Sequence, residues 1–278
     1  MQMQYRNNVR SSGSGNATLI FSHGFGCDQS MWRLTTPAFE ERFRIVCFDL
    51  VGSGRSDRAA YDKAKYASLH GHASDVLEIV DSFGQGPVVF VGHSVSSMIG
   101  MLAVLERPEA FAGLVMVAPS PCFINDDDYV GGFNREDVDG LLAMMEQNFG
   151  KWAGLFAPMV MGAPNKPELQ QELCDSFLRN DPVIARHFAE VTFLADHRAD
   201  LPRLQRPTLI MQASDDLIAP REVGQYMRER IPCSQLVTID NIGHCPQMSA
   251  SGASARAILD FVSPLLLESQ AAVARRLT

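Results

Sequence analysis

Ser94 is the first candidate for chemistry, because it stands at the centre of Gly92-His93-Ser94-Val95-Ser96. An apolar run at 88–92 leads straight into this pentapeptide, and a helical pattern follows at once. A sharp strand-to-helix turn lifts a serine hydroxyl above a sheet, and small flanking residues let the backbone approach closely. The spacing predicts a nucleophilic serine, with Ser96 in place of the glycine that usually ends the motif.

A serine hydroxyl needs a base within hydrogen-bonding reach, because it is a poor nucleophile near neutral pH. His244 is the best candidate among seven histidines, since it lies in an irregular loop between the last predicted strand and the final helix, where the chain order Ser, acid, His puts the base. His23 and His93 are expected beside the site, where they shape it. The remaining four are expected at the surface or in a helical insertion: His70, His72, His187 and His197.

The acid that orients the base should follow the preceding predicted strand, where two carboxylates compete. Asp215 and Asp216 are adjacent in the loop after 208–212. A carboxylate there holds the imidazole in one tautomer and stabilises the imidazolium that forms during reaction. Only one of the two can point at His244, and Asp216 is the preferred candidate, with Asp215 left open.

The oxyanion of an acyl-transfer intermediate needs two preorganised N–H donors. One comes from the residue after the nucleophile, which is Val95. The second is expected from the loop after an earlier strand, where His23-Gly24-Phe25-Gly26 folds back toward Ser94 and offers the Phe25 N–H. These residues together predict hydrolysis through an acyl-serine.

The elements that must position these residues form an alternating pattern. Short apolar runs with β-branched and aromatic residues alternate with amphipathic stretches, as in a mostly parallel sheet covered by helices on both faces. An irregular pair is expected near 7–12, and Pro264 is expected to interrupt the last helix. Strands are predicted at 17–22, 44–48, 88–92, 114–117, 208–212 and 235–239, and helices at 30–41, 68–83, 95–106, 221–230 and 252–261.

The stretch 124–201 breaks this alternation and predicts an inserted cap of four helices, at 135–148, 151–161, 167–179 and 182–195. The core would then comprise 1–123 and 202–278. A ligand site is mostly hydrophobic with a few placed polar groups. The residues expected to line the pocket between cap and core are Phe25, His93, Val95, Trp152, Phe156, Phe193, Ile218 and Cys245.

Composition excludes several other classes of function. The net charge of −8 and the pI near 5.4 oppose binding to nucleic acid or an anionic membrane. The six cysteines are scattered without metal-ligand or redox spacing, so neither a metal nor a cofactor is expected. The glycine-rich turn at 51–57 lacks the lysine and spacing of a phosphate-binding loop. A polar N-terminus without a signal-like apolar stretch favours a cytoplasmic location.

Several motifs carry a resemblance to a known family. They are His23-Gly24-Phe25-Gly26-Cys27-Asp28-Gln29-Ser30-Met31-Trp32, the pentapeptide at Ser94, Asp216 to Pro220, and Gly243-His244-Cys245-Pro246. The chain resembles the α/β-hydrolases that include RsbQ, a bacterial stress-signalling hydrolase, and the plant karrikin and strigolactone receptors, and RsbQ is expected to be the closest. The resemblance implies the α/β-hydrolase fold with a four-helix cap, a hydrophobic pocket, and Ser94, Asp216 and His244 as the triad with Phe25 and Val95 as oxyanion donors.

The leading hypothesis is therefore hydrolysis of a small hydrophobic ester or lactone. The alternative is a signalling module of the RsbQ kind that binds a small ligand and a partner protein, with slow or incidental hydrolysis. Haloalkane dehalogenation uses an aspartate nucleophile, which Ser94 contradicts. Perhydrolysis and carbon–carbon bond hydrolysis use the same triad and stay open.

Overall fold

The computed structural model describes residues 3–276, with side chains described as far as residue 266. A seven-stranded sheet forms the centre of the molecule, in the order β1-β3-β2-β4-β5-β6-β7. The strands are β1 (Arg10–Ser12), β2 (Thr18–Ser22), β3 (Arg44–Phe48), β4 (Val88–His93), β5 (Gly113–Val117), β6 (Thr208–Asp215) and β7 (Ser234–Ile242).

The sheet is parallel except at one edge, where β1 pairs with β3 in the antiparallel direction. Strands β2, β4 and β5 are buried along their whole length, as expected of strands covered on both faces. All six predicted main strands are confirmed, and β1 lies within the segment where an irregular pair was expected. The fold is therefore an α/β-hydrolase fold, as predicted.

Helices cover both faces of the sheet. The predicted helices at 68–83, 95–106 and 221–230 are confirmed within one residue. Among the helices described, none has the length and hydropathy needed to cross a bilayer. The helices are α1 (Met3–Arg6), α2 (Leu69–Phe83), α3 (Val95–Glu106), α4 (Arg135–Gln147), α5 (Phe149–Met161), α6 (Pro167–Arg179), α7 (Pro182–Phe193), α8 (Arg221–Arg230), α9 (Pro246–Ser249) and α10 (Ser251–Arg276).

Two helix predictions were wrong. The segment 30–41 forms two short 3₁₀ turns, Gln29–Trp32 and Thr36–Ala38, because Pro37 lacks the N–H that would continue the first turn into a longer helix. Pro264 does not end the last helix, since α10 runs through it. A proline inside a helix removes one hydrogen bond to the carbonyl four residues earlier, and α10 continues despite that loss.

Four consecutive helices, α4 to α7, connect β5 to β6 above the carboxyl ends of the strands. Asn134 and Asp137 form a capping box at the start of α4, and Asp181 accepts hydrogen bonds from the backbone N–H groups of Val183 and Ile184 to begin α7. Each is a local signal for the start of a helix. The four helices place a layer of aromatic side chains over the loop that contains Ser94.

Candidate active site

The turn between β4 and α3 holds Ser94 in an unusual backbone conformation. Its φ is 53° and its ψ is −120°. This conformation is energetically unfavourable for a residue other than glycine, and residues that adopt such conformations are found mainly at functional sites. The turn is tight enough that a Cβ at Gly92 would come within 2.4 Å of the Ser96 carbonyl oxygen. The Ser94 N–H donates to the Val117 carbonyl at 2.8 Å, which ties the turn to the neighbouring strand.

Three side chains form one chain of hydrogen bonds at this turn. His244 Nε2 lies 2.8 Å from Ser94 Oγ, and His244 Nδ1 lies 2.7 Å from Asp216 Oδ2. A carboxylate can only accept, so Nδ1 carries the proton and Nε2 is left free to accept the proton of the serine hydroxyl. All three residues are buried. This is the geometry in which an imidazole removes the proton of an attacking serine.

The loop after β6 separates the two competing aspartates. Asp216 Oδ1 accepts from the N–H groups of Ile218 and Ala219, at 2.8 and 3.1 Å, while Oδ2 faces His244. Asp215 has an exposed side chain and contributes only its backbone carbonyl, which accepts from Gly243 N–H at 2.7 Å. The structure therefore brings Asp216, and not Asp215, to the imidazole.

The N–H groups of Phe25 and Val95 have no hydrogen-bond partner within the described part of the chain. Val95 is the first residue of α3, whose opening N–H groups have no carbonyl inside the helix to pair with. Phe25 follows β2 on the adjacent loop. Two free donors beside a buried serine hydroxyl are what a developing oxyanion requires.

Ser96 ties the Phe25 loop to the serine turn. Its hydroxyl donates to the His23 carbonyl at 2.5 Å and lies 2.9 Å from Ser22 Oγ. The His23 ring fixes the other side of the same loop, because its Nε2 accepts from the Leu50 N–H at 3.0 Å and its Nδ1 lies 2.8 Å from the Gly24 carbonyl. The serine that replaces the usual glycine thus adds a contact that glycine could not make.

His93 contacts the loop that contains His244. Its Nε2 donates to the His244 carbonyl at 2.8 Å. Burial, followed by the nearby His244 ring, holds the pKa of His93 well below its usual value, so the imidazole stays neutral. Its other nitrogen, Nδ1, lies against Gly24, where an added Cβ would come within 2.4 Å.

The His244 loop is also bound to the end of helix α5. The His244 N–H donates to the Val160 carbonyl at 2.8 Å, and the Ala163 N–H donates to the Ile242 carbonyl at 3.1 Å. The backbones of Gly162 and Gly243 are in contact. A Cβ added to Gly243 would lie 1.9 Å from the Met161 carbonyl oxygen. Both glycines have positive φ.

A narrow cavity opens beside Ser94, with a volume of about 20 Å³. A space of this size accommodates roughly one water molecule. Aromatic rings close it from above. Its lining residues are Phe25, Cys27, His93, Ser94, Phe123, Phe156, Val160, Phe177, Thr192, Phe193, Ile218 and His244.

Five of the eight predicted pocket residues line this cavity: Phe25, His93, Phe156, Phe193 and Ile218. Three do not. Val95 is buried in the serine turn, Cys245 is buried behind His244, and Trp152 lines a groove of about 550 Å³ between α4 and α5. The Trp152 ring stacks on Phe149, Phe156 and Phe177, with ring centroids 5.1 to 5.4 Å apart.

Sequence reasoning missed five lining residues: Cys27, Phe123, Val160, Phe177 and Thr192. Thr192 had no usable signal, because the predicted pocket residue beside it, Phe193, is its direct neighbour on α7 and adjacent helical positions do not share a face. Phe177 had none, since its helix α6 approaches Phe25 only through the tertiary packing, with ring centroids 6.3 Å apart.

The two thiols nearest the site are poor nucleophiles. Burial raises the pKa of both Cys27 and Cys245 well above the usual value for a thiol, and the thiolate is the reactive form of cysteine. Within residues 3–266, no group of three or more His, Cys, Asp or Glu side chains is arranged to hold a metal ion.

The sheet order, the strained serine turn and the Ser94-His244-Asp216 chain define a class of protein built for serine nucleophile chemistry. The family described as "alpha/beta hydrolase fold" matches residues 17–251. The chain belongs to the α/β-hydrolase family.

Relatives with assigned names match nearly the whole chain. A karrikin insensitive 2 receptor from Petunia hybrida is 37% identical over 261 residues, covering 94% of both chains. A strigolactone esterase, D14 from Arabidopsis thaliana, is 37% identical over 244 residues, covering 87% of this chain and 91% of its own. Among solved structures, a hydrolase from Oleispira antarctica superposes with a TM-score of 0.92 at 42% identity, covering 94% of this chain and 96% of that chain. Receptors and esterases thus share this architecture.

Proposed function

We propose that the protein is a serine hydrolase acting on a small hydrophobic ester or lactone, with Ser94 as nucleophile, His244 as general base and Asp216 as the orienting acid. The observation that carries the proposal is the continuous hydrogen-bond chain from Ser94 Oγ through His244 to Asp216, with two free N–H donors beside it. Relatives named as esterases and receptors of small ligands support the same class of substrate.

The proposed reaction has two halves. Ser94 Oγ attacks the carbonyl carbon while its proton passes to His244 Nε2, and the oxyanion accepts hydrogen bonds from Phe25 and Val95 N–H. Collapse of this intermediate breaks the ester bond, and His244 returns the proton to the departing alkoxide. Water then attacks the acyl-serine with His244 again as base, which releases the acid and restores Ser94.

We also propose that 124–201 act as a cap over a core made of 1–123 and 202–278. The four helices lie between β5 and β6, and the rings of Phe156, Phe177 and Phe193 line the cavity at Ser94. A volume of about 20 Å³ is too small for an ester. Substrate entry on this proposal requires the cap, or its aromatic side chains, to shift away from Ser94.

A sensing role is the second candidate, and the named receptors among the relatives favour it. We also propose, from the motifs around Phe25, Ser94 and His244, that the chain is a signalling hydrolase of the RsbQ type. A protein partner would then bind the cap in a ligand-dependent manner. Six free cysteines support a reducing, cytoplasmic location.

The test is hydrolysis of p-nitrophenyl acetate and of a small lactone by the wild type and by Ser94→Ala, with intact-mass measurement of the protein. We expect the variant to lose on the order of 10⁶ in kcat, as when a serine nucleophile is removed elsewhere, while its circular dichroism and Tm stay unchanged. A transient mass increase equal to the acyl group should appear only in the wild type.

The same experiment separates the candidates. Fast turnover that depends on Ser94 supports an esterase, and slow turnover with a persistent acyl adduct supports a sensor. Turnover that survives in Ser94→Ala would contradict both.

A further inference from the structure

The wall of the cavity contains one hydroxyl group besides that of Ser94. Thr192 lies at the end of α7 and is only 2% exposed. It lines the cavity together with Phe156, Phe193 and Ile218, whose side chains are entirely apolar. A polar group in such a wall is well placed to orient a ligand, because it has few competitors.

The Thr192 hydroxyl has no hydrogen-bond partner among the described residues. A threonine in a helix ordinarily bonds the carbonyl three or four residues earlier, which here would be Ala189 or Phe188. Thr192 Oγ1 makes neither bond. Burying a hydroxyl without a partner disfavours the folded state unless something else supplies the bond.

The other polar groups on the cavity wall are occupied or covered. Ser94 and His244 bond each other. His93 donates to the His244 carbonyl through Nε2, so its Nδ1 is an acceptor only; that nitrogen has no partner among the described residues and lies against the backbone of Gly24. On this wall, the hydroxyl group of Thr192 is therefore available to donate a hydrogen bond to a ligand.

We propose that Thr192 is a specificity-determining residue: its hydroxyl donates a hydrogen bond to a second oxygen of the substrate, beyond the ester group that Ser94 attacks. The preferred substrates are then esters or lactones that carry an ether, carbonyl or ring oxygen in an otherwise apolar frame. This inference rests on the proposed function, because it assumes that the cavity at Ser94 receives the substrate. An ester whose chain contains only carbon would leave the Thr192 hydroxyl buried and unpaired. The transition state for that ester is then stabilised less than the transition state for an ester with the additional oxygen.

The test compares matched substrates. One is p-nitrophenyl pentanoate, and the others are the two analogues in which the methylene at C3 or at C4 is replaced by an ether oxygen, which leaves the ester group itself unchanged. The ratio of kcat/KM for analogue over parent is measured in the wild type, Thr192→Val and Thr192→Ser. Comparing the ratio between variants cancels the intrinsic reactivity of each ester.

In Thr192→Val, which keeps the shape and removes the hydroxyl, we expect the ratio for the best analogue to fall about tenfold, the usual effect of one hydrogen bond. Thr192→Ser keeps the hydroxyl and should preserve the ratio. The inference is overturned if Thr192→Val changes analogue and parent by the same factor at every position. Loss of Ser94 dependence would instead refute the proposed function, so the two failures are distinguishable.

A second measurement guards against a folding defect. Thr192→Val should unfold at the same temperature as the wild type or a higher one, because no partner of the hydroxyl is lost. A Tm lowered by several degrees would show that the hydroxyl has a structural partner, and would overturn the proposal. In a Ser94→Ala background, the best analogue should raise the Tm more than the parent ester does, and this difference should vanish on adding Thr192→Val.

Discussion

The Ser94-His244-Asp216 chain and the four-helix segment above it differ in how their buried polar atoms are bonded. In the chain, Ser94 Oγ, both nitrogens of His244 and both oxygens of Asp216 are paired. In the helices α5 and α7, the buried Trp152 Nε1 and Thr192 Oγ1 have no partner among the described residues. The three residues of the chain therefore hold one another in place, whereas Thr192 on the cavity wall keeps its hydroxyl free.

Asp216→Asn is expected to disturb the pairing within the Ser94-His244-Asp216 chain most. The amide keeps the shape but places a donor opposite His244 Nδ1, which favours the wrong tautomer, and a loss of about 10⁴-fold in kcat is expected at neutral pH. Steady-state kinetics with p-nitrophenyl acetate measure it. Asp215→Asn is the matched control, because its exposed side chain touches no part of the triad, and it should retain wild-type kcat. Equal losses in both variants would refute the choice of Asp216.

A smaller effect is expected from Ser96→Ala, which removes the hydrogen bond to the His23 carbonyl. The Phe25 N–H would then be held less firmly, and since an oxyanion donor acts in the transition state, kcat should fall about tenfold with little change in KM. Ser97→Ala is the control, because its hydroxyl bonds the Gly92 carbonyl and does not reach the Phe25 loop. A rise in KM at constant kcat would argue that Ser96 serves substrate binding instead.

The smallest effect concerns stability where α2 packs against α7 of the four-helix segment. His72 on α2 was expected at the surface or in the helical insertion, and that expectation was wrong. It is 1% exposed, its ring lies against Phe188 of α7 with centroids 5.0 Å apart, and neither ring nitrogen has a partner among the described residues. Burial lowers the pKa of His72 from 6.5 to about 3. Since the unfolded chain binds the proton more readily, stability falls as pH drops below about 6.5.

Replacing His72 with Phe tests this directly. At about pH 5 the wild type should lose about 2 kcal/mol of its free energy of unfolding through this residue, relative to about pH 8. Between the same two pH values, the free energy of unfolding of His72→Phe should fall by about 2 kcal/mol less than that of the wild type, because an aromatic ring remains and the titrating group is removed. Urea unfolding at the two pH values measures the difference. An identical pH dependence in both proteins would show that His72 is not the group responsible.

The sequence predicts the sheet and the Ser94-His244-Asp216 chain better than it predicts the wall of the cavity. Strand positions, the serine turn and the His244 loop follow from local apolar runs, glycines and chain order, so they could be predicted. The wall of the cavity depends on how helices cross, which no short motif encodes. Trp152 was therefore expected in the pocket and lies on the outer groove, while Phe177 and Thr192 were missed. The helix predicted over 30–41 does not form, because Pro37 lacks the N–H that would continue it.

The backbone bonds between His244 and the end of α5 have a further consequence. The N–H of the base donates to the Val160 carbonyl, so a direct backbone bond joins the last turn of α5 to the loop that holds the imidazole. A displacement of that turn must therefore break this bond or carry the His244 loop with it.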